Sequence, residues 1–171
     1  MFSKTDIEKY FTAEKNESIL FVFIGIAAII LAIVFFFFLK TNFYKGIAWP
    51  LLIIAIIQIT VGYTVYKRCD SDRKRNVYAY DLNPSELKGK EIPRMETVNK
   101  NFVIYRWIEI ALIISGVVLI FLYRSDPDKT FLYGLGIGLA IQAFIMLGAD
   151  YFAEARAKNY TKGLKDFTQK R

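Results

Sequence analysis

Glu109 is the residue whose surroundings demand chemistry. It follows Tyr105-Arg106-Trp107-Ile108, and the stretch after it, 110–123, carries no charge. At about 1.5 Å per residue a helix of that length covers roughly 21 Å, short of a hydrocarbon layer of about 30 Å. Extending the stretch backward through Phe102, Val103, Ile104, Tyr105, Trp107 and Ile108 restores a span over 103–123, and brings Arg106 and Glu109 into or beside the apolar layer. A charge held at that depth costs about 2.5–3.5 kcal/mol on insertion scales. Arg106 can reach back to water on its long stem, but a short carboxylate cannot, so Glu109 needs a partner or a proton. Arg106 can supply part of the pairing at i,i+3, and Asp150 and Glu154, at the end of the last apolar run, should approach the same depth. The expectation is an intramembrane polar cluster of Arg106, Glu109, Asp150 and Glu154. It would act either as a proton or cation site or as a lock between helices.

Two uncharged polar residues, Gln58 and Gln142, fall at mid-depth in the second and fourth apolar runs, where amides hydrogen-bond across helices. Small residues mark the faces that let helices approach. Gly116 lies seven residues past Glu109 on one stripe, and Gly134, Gly138 and Gly148 share another with Ile141 and Ile145. The second and fourth runs are each entered through Phe-x-x-Gly, at Phe43 to Gly46 and Phe131 to Gly134, a weak sign that the chain repeats a hairpin.

Other chemistries are poorly served. The chain has no histidine and a single cysteine, Cys69, which removes the commonest general base and excludes both an internal disulfide and a Cys/His metal site. No phosphate-binding loop, dinucleotide fingerprint or nucleophile elbow appears. Asp70, Asp72 and Asp81 sit among Arg73, Lys74 and Arg75 and read as solvated ion pairs rather than a metal site. Neither enzymatic activity nor a cofactor or metal is expected. Cys69 follows the second run directly and reads as an inert thiol.

The elements that must position these residues are membrane spans. Of 171 residues, 54% are hydrophobic and 16% aromatic. They are clustered in runs rather than spread periodically, as in a membrane protein. Residues 19–39 and 46–66 are each uncharged throughout, and the fourth span covers about 130–150. The first run is too long for a signal-peptide core and lacks a small-residue cleavage site, so it is expected to be retained as a span. The expected fold is all-α: a four-transmembrane-helix bundle with helix extensions outside the bilayer. Its parts are an N-terminal helix (1–17) with a cap at Thr5 and Glu8, a hairpin (18–66), a charged cytoplasmic loop with helix extensions (67–101), a second hairpin (102–156) and a basic tail (157–171). The second helix should run on to about Tyr80, Pro93 should open the third, and the fourth should end near Gly163.

Charge fixes the orientation. The segments before residue 19, over 67–100 and from 156 onward hold 18 Lys and Arg against four in the two short connections, which places both termini in the cytoplasm. The net charge of +7 lies between apolar runs rather than on a separate basic domain, so a nucleic-acid partner is not expected. The expected setting is the inner (cytoplasmic) membrane, crossed several times, with the lipid bilayer and another membrane protein or a second copy as partners.

The function expected is partner binding by a non-enzymatic membrane protein, through its helical bundle and extensions. One form is immunity-type protection against a membrane-active toxin. Bacterial four-span immunity proteins have this size and topology, a likeness of layout that rests on no shared motif. The alternative is a small oligomeric proton or cation transporter or channel subunit using Glu109 and Asp150.

Overall fold

The computed structural model describes residues 2–169, so Met1 and the last two basic residues of the tail, Lys170 and Arg171, lie outside the described residues. Four helices carry nearly all of these: α1 (Lys4–Leu39), α2 (Asn42–Leu82), α3 (Pro84–Tyr123) and α4 (Pro127–Gln169). Each is long and apolar enough to cross a membrane, and no strand occurs among the described residues.

The breaks between helices have local causes. α1 closes on a widened π-type turn, Phe35–Leu39, and the chain reverses at Lys40, whose φ of 56° lies in the left-handed region. Thr41 then caps α2, its Oγ1 accepting from the Tyr44 N–H at 3.4 Å. Only Asn83 separates α2 from α3, and Pro84 suits the first turn that follows because its missing N–H would have no partner there. The expected charged segment is therefore almost wholly helical. α2 runs two residues beyond Tyr80, and Pro93 sits in the first turn after a second π-type segment, Leu87–Glu91.

Two expectations are corrected. The N-terminal cap is Ser3 with Asp6, not Thr5 with Glu8: the Ser3 N–H and hydroxyl both donate to Asp6 Oδ2 at 2.8 Å. α4 does not stop at Gly163 but continues to Gln169. Gly163 is kept in mid-helix because the Phe2 ring lies on it, in the space a Cβ would fill.

The bundle is an open row in the order α1, α2, α4, α3. The apolar stretches of the outer helices α1 and α3 are only 17% and 11% buried, against 39% and 28% for α2 and α4. Small residues form the seams, as expected where close backbone packing replaces a hydrophobic driving force. Gly25 of α1 abuts Ala55 and Ile59 of α2, Gly62 of α2 abuts the Ser18 carbonyl, and Gly116 of α3 abuts the carbonyl of Gly136 in α4. Large side chains such as Phe23, Ile57, Phe121 and Phe144 point outward and are exposed.

The large-residue core lies elsewhere, at the end of the row that carries both termini. Ile7, Phe11, Leu87, Met95 and Leu164 are fully buried there beside Tyr10 and Tyr160, whose rings stack 4.1 Å apart. Each fully buried large apolar side chain contributes about 1.5–3 kcal/mol relative to exposure in water. This terminal module is also where α1 meets α4, through Tyr10 on Tyr160 and an ion pair of Glu17 with Arg156.

Candidate functional site

One face of α3 explains where the site falls. Beyond Leu87 and Glu91 in its first turns, the buried residues of α3 are Met95, Glu109 and Gly116, and with Phe102 these recur at intervals of seven, so a single stripe turns toward α4 from Met95 onward. In the terminal module that stripe carries Met95, and in the row it carries Gly116. Between them it carries a carboxylate.

Glu109 is 3% exposed, and both of its carboxylate oxygens are buried without a hydrogen bond of normal geometry. The group that faces it is the carboxyl of Asp150 on α4, itself half-buried. Glu154, one turn further along α4, and Glu17 of α1 also bear on Asp150. Four acids from three helices thus gather where the row meets the module.

The cations nearby are engaged with other members of the group. Arg106 does not pair with Glu109, contrary to the expectation from their i,i+3 spacing. Its Nη1 lies 3.2 Å from Glu154 Oε2. The long arginine side chain reaches toward the module while Glu109 turns into the seam. Lys158 Nζ takes the other oxygen, Glu154 Oε1, at 2.6 Å. Arg156 pairs with Glu17, whose carboxyl is raised above its ordinary value chiefly by burial, against the opposing pull of that arginine.

The remaining sequence candidates divide. Gln142 Nε2 donates to Gln58 Oε1 at 3.4 Å, both residues being buried, so the two glutamines meet on the α2–α4 seam. Gly134 and Gly138 lie on the same seam, the first against the Phe43 carbonyl and the second with its added Cβ 2.6 Å from Pro50 Cγ. Gly148 does not pack within the chain. It is exposed and has nothing within 4 Å of an added Cβ, as Ile141 and Ile145 of the same stripe are exposed. The seam instead follows the four-residue ladder of Gly134, Gly138 and Gln142, which turns away from a stripe that alternates three and four.

Cys69 is buried and its thiol donates to Glu14 Oε2 at 3.4 Å. Each of the three aspartates, all on α2, is held by a base: Asp70 by Lys15, Asp72 by Arg75 at 2.9 Å and Asp81 by Lys4 at 2.6 Å, but Asp72 is buried rather than solvated, because it lies on the inner face of α2 with Cys69 and Asn76. No group of three or more metal-ligating side chains is arranged to hold an ion among the described residues.

Sequence reasoning also missed a buried charge in the module core. Glu91 is 2% exposed in the module core, clasped by Arg94 with Nε to Oε2 at 2.9 Å and Nη2 to Oε1 at 2.6 Å. The Tyr160 hydroxyl donates to the same carboxylate at 3.4 Å. Burial pushes that hydroxyl above the usual tyrosine range, and the Glu91 charge adds to the effect. The signal available was Glu91 and Arg94 at i,i+3 between Leu87 and Met95, hidden in a segment that looked like a solvated loop.

No protein-family model, curated protein or solved structure shows significant similarity to this chain. What points to function is the arrangement itself.

Proposed function

We propose that the chain is a multi-pass membrane protein with both termini in the cytoplasm, and that it works by binding another membrane protein rather than by catalysis. The observation that carries this is the separate folded module at the end of the row. Spanning a bilayer needs about 20 residues per helix. These helices instead run to between 36 and 43 residues and bury a core of their own beyond the spans. A row of spans open on both edges, with α1 and α3 as its rims, offers helix faces to a membrane-embedded partner. The module offers a second surface to the same partner or its cytoplasmic part. Immunity-type protection against a membrane-active toxin is one form of this function. Ion conduction by a single copy has little support, because four helices in an open row enclose no pathway.

Two measurements test the reading. Single cysteines at Ser125→Cys and Lys88→Cys, in a Cys69→Ala background, should react with an impermeant maleimide from opposite sides of the membrane. Reaction of both from one side overturns the topology. Photocrosslinkers at Phe23 and Phe121, on the outer helices, should capture one defined membrane protein in native membranes, and the immunity form adds toxin sensitivity on deletion of the gene. Capture of lipid alone, with no phenotype, overturns partner binding.

A further inference from the structure

We propose that Glu109 and Asp150 form a single-proton binding site that exchanges with the cytoplasmic side and ends blind within the row. The inference rests on the spanning arrangement proposed above and goes beyond the partner-binding function.

The charge tally requires an additional positive charge. Glu17, Glu109, Asp150 and Glu154 supply four carboxylates from α1, α3 and α4, and Arg106, Arg156 and Lys158 supply three cations. Those cations are held at Glu154 and Glu17, so the Glu109–Asp150 pair has none directly on it. Two facing carboxylates in an apolar seam repel each other and are poorly solvated. One proton shared between them converts that repulsion into an O–H···O⁻ hydrogen bond, gives the otherwise unbonded Glu109 oxygens a partner, and brings the cluster to neutrality. A metal cation would need more oxygen ligands than two carboxyl groups supply, and no such set is arranged among the described residues.

The direction of exchange follows from what lies on either side. Asp150 is half-buried and adjoins Glu17 and Glu154, which continue toward the module. On the other side, residues 110–122 of α3 and 134–149 of α4 contain no ionisable side chain, and the seam is closed by Gly116 against Gly136. A proton can enter beside Asp150 and has no onward acceptor.

Dicyclohexylcarbodiimide, which reacts with protonated carboxyl groups in apolar surroundings, is the probe, applied to the full chain in oriented vesicles with modified residues located by mass spectrometry. The expected result is modification at Glu109 or Asp150 that falls as pH rises on the cytoplasmic side and is indifferent to pH on the other. Asp150→Asn should move the fall to lower pH, since an amide N–H beside Glu109 favours its anion. Glu109→Gln with Asp150→Asn should abolish modification while circular dichroism reports an intact helical fold. Absence of modification in the folded wild type, or a pH profile that Asp150→Asn leaves unmoved, overturns the shared proton. A response to pH on the far side overturns the blind end. Because the maleimide experiment reports topology independently, failure of the proton site is distinguishable from failure of the spanning arrangement.

Discussion

Gly46 and Gly134 pack reciprocally: a Cβ on Gly46 would strike the carbonyl of Phe131, and a Cβ on Gly134 would strike the carbonyl of Phe43. Each glycine thus receives the backbone of the residue that opens the other's Phe-x-x-Gly. Two parallel helices related by a local two-fold axis make contacts in this form, and the Gln58–Gln142 bond lies further along the same seam. The repeat that the sequence hinted at is a packing relationship between α2 and α4.

Gly46→Ala and Gly134→Ala are each expected to destabilise the α2–α4 seam by about 1–3 kcal/mol, the usual range for overpacking, because the atom in the way is backbone and cannot rotate aside. Gly148→Ala, with open space around it, should change stability by less than about 0.5 kcal/mol. Thermal unfolding in one detergent, followed by circular dichroism, compares the three.

Gln58→Leu should cost about 1 kcal/mol by leaving the Gln142 amide buried without its partner. The double variant Gln58→Leu with Gln142→Leu should recover part of that loss, since no polar group is then stranded. A double-mutant cycle on the same unfolding signal measures the coupling. Strict additivity would show that the 3.4 Å contact contributes nothing.

Arg94→Met should destabilise the terminal module by about 3–5 kcal/mol, because it strands Glu91 as a buried, unpaired charge. Arg94→Met with Glu91→Met should be far milder, as whole buried ion pairs often exchange for apolar side chains at little cost. Loss of protease resistance around Asn83 in the single variant and its return in the double variant would check this.

Cys69 links stability to pH in the alkaline range. Burial, the largest cause, together with the Glu14 carboxylate pushes its thiol from the ordinary 9.0 up to about 12. The folded value exceeds the unfolded one, so the contribution is fully present below the ordinary thiol range and fades as pH rises toward 12. Alkylation by iodoacetamide at neutral pH should be slow in the folded protein and fast once it unfolds, and Cys69→Ala should remove this part of the alkaline loss.

Lys40→Gly should stabilise the α1–α2 turn by about 0.5–1 kcal/mol, because a side chain with a Cβ adopts the left-handed region only at a cost. Lys40 holds a φ of 56° there. Lys40→Val should act in the opposite direction, β-branching being least compatible with that region. The same thermal unfolding signal orders the three side chains.

Much of this architecture was written along the chain. Run lengths between charges determined three helices long enough to span and, once the third run was carried back past Glu109 and Arg106, a fourth; the seven-residue interval from Glu109 to Gly116 determined that a carboxylate would share the packing stripe, and the charge bias supplied an orientation to test. These are local properties, legible because hydrophobic length and helical period act on neighbouring residues. What required the tertiary structure depended on which helix faces met. The sequence could not choose Glu154 rather than Glu109 as the partner of Arg106, since both lie within reach of a flexible side chain. Nor could it distinguish Gly138, pressed on Pro50, from Gly148, facing open space, because a glycine's role is set by what approaches it. It also hid Glu91 and Arg94, whose burial depends on Leu87, Met95, Tyr10 and Tyr160 converging into a core beyond the spans.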